Sequence, residues 1–286
     1  MDLMSGLQEV ARRMLVARGV RSEMVDVAGQ PLHHYELKGS GKGPTVLLVH
    51  GLGGTANGFA RIFFGLAKRF ERVLAVDLPG HGFSPEYCLG PVCVRGQYDM
   101  LVEYCRKVVG GPSFVVGNSL GGAMSVKLAV EHPGWVKALG LVAPAGADVG
   151  HELIQEVLAS LDVRTTEQSR ELTRRLFHRP PWLLMLFADT LRGLYSTPAV
   201  RALSADALAT REYLKPEVLK GLAMPVLLVW GGSEKLLPHQ SLDFFRSHLP
   251  AHAQVRVVER FGHIPHVERP DELVSELVRF ADASGL

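Results

Sequence analysis

Residues 114–130, FVVGNSLGGAMSVKLAV, decide the fold of this chain. The run FVV at 114–116 is typical of a buried strand, and the segment 120–132 has the length and composition of a helix. Between them lies GNSLG at 117–121, whose glycines permit a turn too tight for a side chain at either flank. The stretch therefore predicts a strand, a sharp turn that presents Ser119, and a helix.

Strands and helices alternate on both sides of this turn. An opening hairpin at 24–37 is followed by strand-like apolar runs at 45–50, 73–77, 136–142, 226–230 and 255–258, with helix-length segments around 59–68, 97–109, 242–248 and 271–281. Strands separated by helices are typical of a parallel sheet with helices on both faces. The predicted fold class is α/β, with a mostly parallel, doubly wound sheet.

The alternation stops between about 147 and 217, where several helix-length segments follow one another. We therefore predict a core formed by residues 1–146 and 218–286, with residues 147–217 inserted as a helical cap. The apolar run at 182–187 is too short to cross a bilayer, which needs about 20 apolar residues. Two interpretations of this run stay open, either packing inside the cap or forming the roof of an apolar acyl pocket.

Charge and cysteine content argue against several classes of function. The 286 residues include 31 Lys and Arg against 29 Asp and Glu, a balance that gives no strong field for steering toward nucleic acid. Cys88, Cys93 and Cys105 lack the spacing of a zinc site, and their odd number favours free thiols in a reducing compartment. We expect a cytoplasmic protein that binds a small molecule and needs no metal or cofactor. The composition does not indicate an oligomeric state.

The first twenty residues predict an amphipathic helix without the uninterrupted apolar stretch of a signal peptide. Leu3, Leu7, Val10, Met14 and Leu15 recur at helical spacing. Such a stripe usually packs on its own domain, and weak contact with a membrane surface is the alternative. We expect packing on the domain and no membrane span.

Loops at one edge of the predicted sheet supply candidate catalytic residues. Ser119 is the candidate nucleophile, and a serine hydroxyl needs a neighbouring base to remove its proton. His263 is the candidate base because it follows the last strand, where a loop can reach the carboxyl edge of the sheet. Glu234 follows the preceding strand and is the candidate acid that orients the imidazole.

Each of these assignments has a competitor. Asp148 is the alternative acid, although the chain order serine, acid, histidine favours Glu234. His266 is the alternative base, and we expect it at the surface or facing the cap. His50 and His81 lie in other loops at the same edge, and we expect them to be supporting residues.

A glycine-rich turn, HGLGG at 50–54, is the candidate for half of an oxyanion hole. Its glycines allow backbone amides to approach a ligand, so the amide of Leu52 can join that of Leu120. The helix that begins at Leu120 adds the positive end of its dipole. A purely structural turn is the alternative, and proximity to Ser119 favours the functional interpretation.

Five motifs, in order along the chain, resemble those of the α/β-hydrolase superfamily in its capped esterase and lipase branch. They are HGLGG (50–54), DLPGHGFS (77–84), GNSLGG (117–122), WGGSEKLLP (230–238) and GHIPHVERP (262–270). The resemblance covers about 24–281 and implies the triad, the oxyanion amides and a cap after the sixth main strand. It departs at Glu234, where the family pattern WG-x-x-D carries aspartate. Serine at position 119 distinguishes the chain from the similar haloalkane dehalogenases and soluble epoxide hydrolases, which attack through a carboxylate.

These observations predict a serine hydrolase of the carboxylesterase or lipase type, which forms an acyl-enzyme. The predicted cap is rich in Leu, Met, Phe and Trp, so we expect an apolar acyl group of short to medium length. One alternative is a carbon–carbon bond hydrolase of meta-cleavage-type diketones, although many such relatives carry tryptophan where this chain has Ile264. A thioesterase or perhydrolase would use the same residues. The alternative from another class is a non-catalytic protein that binds an apolar ligand.

Overall fold

An eight-stranded sheet forms the centre of the molecule in the computed structural model, which describes residues 3–286 apart from the side chains of Leu3 and Leu183. Residues 1 and 2, which the predicted core includes, lie outside the described residues. The strands are β1 (Arg21–Val27), β2 (Gln30–Lys38), β3 (Val46–Val49), β4 (Arg72–Val76), β5 (Ser113–Ser119), β6 (Val136–Pro144), β7 (Val226–Gly231) and β8 (Gln254–Val258).

The strand order is β1-β2-β4-β3-β5-β6-β7-β8. Strand β2 pairs antiparallel with β1 and with β4, and the other neighbouring pairs are parallel. The predicted mostly parallel α/β sheet is therefore confirmed. The carboxyl ends of β3, β5, β6, β7 and β8 share one edge, which brings the loops after them together.

The α-helices of residues 3–286 connect these strands and cover the sheet. They are α1 (Leu3–Ala17), α2 (Phe63–Ala67), α3 (Val94–Tyr104), α4 (Leu120–Glu131), α5 (His151–Leu161), α6 (Thr166–Leu176), α7 (Trp182–Leu186), α8 (Arg192–Tyr195), α9 (Pro198–Thr210), α10 (Pro216–Lys220), α11 (His239–His248), α12 (Pro265–Glu268) and α13 (Pro270–Ala283). The helix predicted at 59–68 corresponds to α2, which is shorter than predicted. A 3₁₀ turn at Ala56–Phe59 precedes it. The helix predicted at 97–109 ends in a π-helical turn at Cys105–Val109.

Both faces of the sheet are buried. Along β3, Leu47 and Val49 pack in one hydrophobic cluster, whereas Val46 and Leu48 pack in another. The first cluster includes Leu residues of α3 and α4, and the second includes side chains of α2 and α13. Alternate side chains of a strand point to opposite faces. The continuous apolar run of β3 is therefore explained by burial on both sides.

Helices α5 to α10 lie between β6 and β7, within or next to the segment predicted as a cap. The two ends of this segment lie side by side, because Ala147 and Leu214 form an isolated parallel bridge. The amide of Leu214 also donates to the carbonyl of Gly146 at 2.8 Å. Helix α10 contacts α4 and α11, and its Leu219 packs in a core cluster. The division into a core and a 147–217 cap stays a prediction, and we call residues 147–214 the inserted segment.

Three residues of the apolar run at 182–187 fit neither interpretation. Trp182, Leu186 and Phe187 are 75%, 65% and 50% exposed, so they do not pack inside the segment, and none of them lines the cavity that contains Ser119. Leu184 alone among the described side chains of α7 packs against the cluster that joins the inserted segment to the core. An apolar run of this length is therefore a poor indicator of burial.

Helix α1 has both buried and exposed apolar side chains. Leu15 is buried, as packing on the domain requires, whereas Leu7, Val10 and Met14 are at least half exposed. The expectation that the whole stripe packs on the domain is therefore wrong for these three residues. Within residues 3–286, no helix is both long enough and apolar enough to cross a membrane.

Candidate active site

Ser119 lies at the tight turn between β5 and α4. Its backbone has φ 53° and ψ −122°, a conformation that residues with a side chain rarely adopt. The turn needs glycine at both flanks. A Cβ on Gly117 would lie 2.4 Å from the carbonyl oxygen of Gly121, and one on Gly121 would lie 2.3 Å from that of Val49. This close backbone approach holds Ser119 at the carboxyl edge of the sheet.

His263 and Glu234 form a buried pair at the same edge. The Nδ1 atom of His263 lies 2.8 Å from Oε2 of Glu234, and both side chains are less than 5% exposed. The other carboxylate oxygen accepts the amides of Leu236 at 2.7 Å and Leu237 at 3.0 Å. Because an ionised carboxylate only accepts hydrogen bonds, Nδ1 carries the proton of the neutral ring. This tautomer leaves Nε2 able to accept a proton.

The competing residues are placed differently. Asp148, the alternative acid, is exposed, and the carboxylate beside the His263 ring belongs to Glu234. His266 is only 6% exposed, so the expectation of a surface position is wrong. Its ring centroid lies 4.7 Å from that of Phe59, which belongs to the turn after β3. Burial, with smaller contributions from two neighbouring histidines, lowers the pKa of His266 to about 3.

His50 and His81 hold the backbone of two loops at this edge. The Nδ1–H of His50 donates to the carbonyl of Gly51 at 2.8 Å, and its Nε2 accepts the amide of Leu78 at 3.0 Å. The Nδ1–H of His81 donates to the carbonyl of Pro79 at 3.0 Å. Burial lowers the pKa of both rings, that of His81 to about 3. The hydrogen bonds of His50, one donated and one accepted, also require a neutral ring.

A cavity of about 180 Å³ extends from Ser119 between the core and the inserted segment. Leu52 and Leu120, the predicted oxyanion residues, line it beside Ser119. Leu120 is the first residue of α4, so its amide has no acceptor within the helix. The other lining side chains are mostly apolar and include Ala123, Met124, Val157, Leu158, Leu161, Leu203, Ala207 and Leu236. The inserted segment supplies much of this apolar wall through α5 and α9.

Residues 46–276 match the sequence model of the alpha/beta hydrolase family. The chain belongs to the alpha/beta hydrolase family. The family predicted from the five motifs is thus confirmed, and the motifs at 50–54, 77–84, 117–122, 230–238 and 262–270 lie within the matched region.

Several relatives of this hydrolase resemble it over most of their length. It is 30% identical over 251 residues to a pimeloyl-[acyl-carrier protein] methyl ester esterase of Nitrosomonas europaea, covering 82% of this chain and 95% of the relative. It is 26% identical over 260 residues to Lipase 1 of Psychrobacter immobilis, covering 86% and 79%. Among solved structures, a membrane phospholipase A described as a bacterial virulence factor is similar with a TM-score of 0.80 and 28% identity, covering 99% of this chain and 91% of that one.

Asn118 joins the turn at Ser119 to the loop that carries His263, a role that was not predicted from the sequence. Its side-chain amide donates to the carbonyl of Val142 at 3.0 Å and to that of His263 at 3.1 Å. The residue is 5% exposed, and a buried amide must find such partners. Its position inside a buried strand-to-helix turn was the available signal. In this hydrolase, Asn118 fixes the distance between two of the candidate catalytic loops.

Glu268 connects the His263 loop to the inserted segment, a role that was likewise not predicted from the sequence. We call residues 177–179, which follow α6, the strap. Glu268 accepts backbone amides of Gly262 at 3.2 Å and of His178 and Arg179 at 3.0 Å each. The amide of His263 donates to the carbonyl of Leu176, directly before the strap, at 2.9 Å. A carboxylate in the motif after His263 was the only sequence signal of this contact.

The loop that carries Glu234 also holds the strap. The Nζ of Lys235 donates to the carbonyls of Phe177 at 3.2 Å and His178 at 3.0 Å. The ring of His178 contacts the hydroxyl of Ser233 at 2.6 Å through Nδ1. Thus the loops of the candidate acid and base both attach to one short piece of the inserted segment. Movement of the strap would therefore shift the loops that position the His263–Glu234 pair.

Because His266 is buried, we expect the wild-type protein to lose stability in acid. The variant His266→Leu should lose less. The unfolded ring titrates near its ordinary pKa of 6.5, and the folded ring near 3. Between these values the unfolded state binds a proton that the folded state does not, so stability is complete above pH 6.5 and falls below it. The unfolding free energy of the variant minus that of the wild type should therefore rise by about 1.4 kcal/mol from about pH 7.5 to about pH 5.5.

Urea unfolding of both proteins at the two pH values measures this difference. His248→Leu is a control, because that histidine is only partly buried on α11 and hydrogen-bonds the carbonyl of Phe244. A difference between wild type and His266→Leu that does not change with pH would contradict the expected titration.

Proposed function

We propose that this hydrolase cleaves carboxylic esters with an apolar acyl chain through a covalent acyl-enzyme on Ser119. The observation that carries the proposal is the 2.8 Å contact between Nδ1 of His263 and the Glu234 carboxylate, at the sheet edge where Ser119 occupies its strained turn. This contact gives the imidazole a proton-accepting Nε2 and a nearby negative charge that stabilises the imidazolium. The proposed roles are nucleophile for Ser119, base for His263 and orienting acid for Glu234.

In the first step, the Ser119 hydroxyl oxygen attacks the ester carbonyl carbon while its proton moves to Nε2 of His263. The carbonyl oxygen becomes negatively charged and accepts hydrogen bonds from the amides of Leu52 and Leu120. Collapse of this intermediate breaks the bond to the alcohol oxygen, which takes the proton from His263. The product of this step is an ester between the acyl group and Ser119.

In the second step, a water molecule loses a proton to His263 and attacks the acyl carbonyl. The same two amides stabilise the second negatively charged intermediate. Cleavage of the bond to the Ser119 oxygen releases the carboxylic acid, and the proton on His263 returns to Ser119. The cycle uses the side chains and amides named here and consumes one water molecule.

The walls of the cavity support an apolar acyl group. Helices α5 and α9 of the inserted segment face Ser119 with aliphatic side chains, in keeping with the proposal that this segment caps the site. A relative named as a methyl ester esterase and another named as a lipase both act, by their names, on esters. A cavity of about 180 Å³ favours an acyl chain of short to medium length.

Other properties predicted from the sequence are part of the same proposal. Cys88, Cys93 and Cys105 are all free thiols in the structure, which fits a reducing compartment. The cytoplasmic location stays a prediction, as does a small-molecule ester as the substrate. Membership in a family of hydrolases that act on small molecules supports the small-molecule substrate.

We expect hydrolysis of p-nitrophenyl esters to be fastest for acyl chains of about four to eight carbons, because the apolar cavity beside Ser119 favours chains that fill it. Ala207 of α9 lines this cavity, so Ala207→Leu should shift the optimum to shorter chains. Ala205→Leu is the matched control on the same helix, at an exposed position outside the cavity. Initial rates across the ester series give the comparison.

Two outcomes would contradict the proposed substrate. An optimum at acetate with no activity on longer chains would show that the cavity does not bind the acyl group. Cleavage of a vinylogous diketone or a thioester without cleavage of any oxygen ester would replace the proposed reaction with one of the alternatives. The same panel of substrates covers all three classes.

A further inference from the structure

Exposed apolar side chains are concentrated on two segments that are far apart in the sequence. Among the described residues, eleven large apolar side chains are exposed, and seven of them lie on α1 or at α7. Val16 is one of the seven, and the other six are Leu7, Val10, Met14, Trp182, Leu186 and Phe187, which we call the α1–α7 surface. Single exposed apolar residues are ordinary, whereas a contiguous group marks an interaction site.

The two segments are adjacent in space. Leu7 of α1 lines the same surface groove, of about 650 Å³, as Leu184 and Phe187 of the inserted segment. Helix α1 also contacts α8 and the 3₁₀ turn Ala188–Leu191, which follows α7. Residues three and four positions apart share a helix face, so Val10 and Met14 extend the apolar stripe that begins at Leu7 in the groove. The α1–α7 surface is therefore one patch.

The charges that line the groove within this patch are mostly positive. Arg61, Arg179 and Arg269 line the groove, and Glu268 is the one carboxylate among its lining residues in the described part of the chain, 3–286. The oxygens of Glu268 already accept three backbone amides, as described for the strap. Apolar and aromatic side chains bordered by arginine are the combination that binds the interface of a membrane with anionic lipids. Trp182, which is 75% exposed, is a side chain suited to the headgroup region.

We propose that the α1–α7 surface docks this hydrolase onto a membrane that contains anionic lipids. Trp182, Leu186, Phe187 and the apolar stripe of α1 enter the boundary between headgroups and acyl chains, while the arginines contact lipid phosphates. The strap lies at the same groove, since Phe177 and Arg179 line it. Docking therefore places lipid next to the piece of the inserted segment that holds the His263 loop. The proposal concerns binding and does not depend on the ester chemistry of Ser119.

Vesicle co-sedimentation tests this proposal with the full chain. We expect the wild type to bind vesicles of phosphatidylglycerol and phosphatidylcholine at least tenfold more tightly than vesicles of phosphatidylcholine alone. The double variant Leu186→Ser/Phe187→Ser and the double variant Leu7→Ser/Val10→Ser should each bind at least tenfold more weakly. Arg179→Glu should reduce the preference for the anionic vesicles. Ser119→Ala should bind like the wild type, so a failure of the proposed esterase activity leaves this test intact.

The matched control is Met24→Ser/Leu89→Ser, which removes two exposed apolar side chains outside the patch. It should bind vesicles like the wild type, and melting temperatures establish that each variant is folded. Wild-type protein that stays in the supernatant with both kinds of vesicle would overturn the proposal. So would folded double variants that bind as well as the wild type. A wild-type dimer that becomes a monomer in Leu186→Ser/Phe187→Ser, with no vesicle binding by either protein, would assign the patch to a second copy of the chain.

Discussion

Ser119→Ala is expected to lower kcat/KM for p-nitrophenyl butyrate by at least about 10⁴-fold and to leave the fold unchanged. The hydroxyl of Ser119 is the attacking group of the proposed mechanism, and the variant retains no oxygen at that position. The oxyanion amides and the cavity would still bind the ester, which accounts for a small residual rate over water. The rate constant and the melting temperature of the variant together distinguish lost chemistry from lost structure.

Labelling with a fluorophosphonate provides an independent readout of the same residue. Wild-type protein should be labelled and Ser119→Ala should not, because the reagent needs an activated nucleophile. Ser241 lines the same cavity and is buried, which makes Ser241→Ala the matched control. This control should be labelled like the wild type. If Ser119→Ala is labelled and Ser241→Ala is not, the nucleophile has been assigned to the wrong serine.

The sequence predicted the parts of this molecule that depend on local pattern and sheet topology. The run at 46–49 is apolar at every position because both faces of the sheet are covered, so it could be recognised as a buried strand. Ser119, Glu234 and His263 were predicted at one edge because each lies at or shortly after the carboxyl end of a strand in the parallel part of the sheet. The pair formed by His263 and Glu234 agrees with that reasoning.

What the sequence did not predict depends on contacts between distant segments. The burial of His266 results from packing against Phe59, more than two hundred residues earlier in the chain. The link from Asn118 to the His263 carbonyl spans 145 residues and ends on the backbone, which leaves no side-chain pattern to detect. The exposure of Trp182 was missed because apolar content is the same for a core segment and for a surface that binds lipid or protein.

The geometry around Glu234 predicts that its carboxylate cannot be replaced by an amide. Oε1 accepts two backbone amides, those of Leu236 and Leu237, and only an oxygen can serve there. In Glu234→Gln the remaining atom, which faces Nδ1 of His263, is therefore the NH₂ group. An NH₂ donor makes Nδ1 the acceptor, which moves the ring proton to Nε2. The imidazole could then no longer take the proton of Ser119.

We therefore expect Glu234→Gln to lower kcat by about 10³- to 10⁴-fold, since it both reverses the tautomer and removes the charge that stabilises the imidazolium. Glu234→Asp keeps the charge but shortens the side chain by one methylene, so its kcat should lie between those of Glu234→Gln and the wild type. Asp148→Asn should stay within about twofold of the wild type, because Asp148 is exposed and Glu234 already pairs with the imidazole. Steady-state kinetics of the three variants decide between the two acids. An Asp148→Asn enzyme as impaired as Glu234→Gln would show that the acid acting during turnover is not the one paired with His263 in this structure.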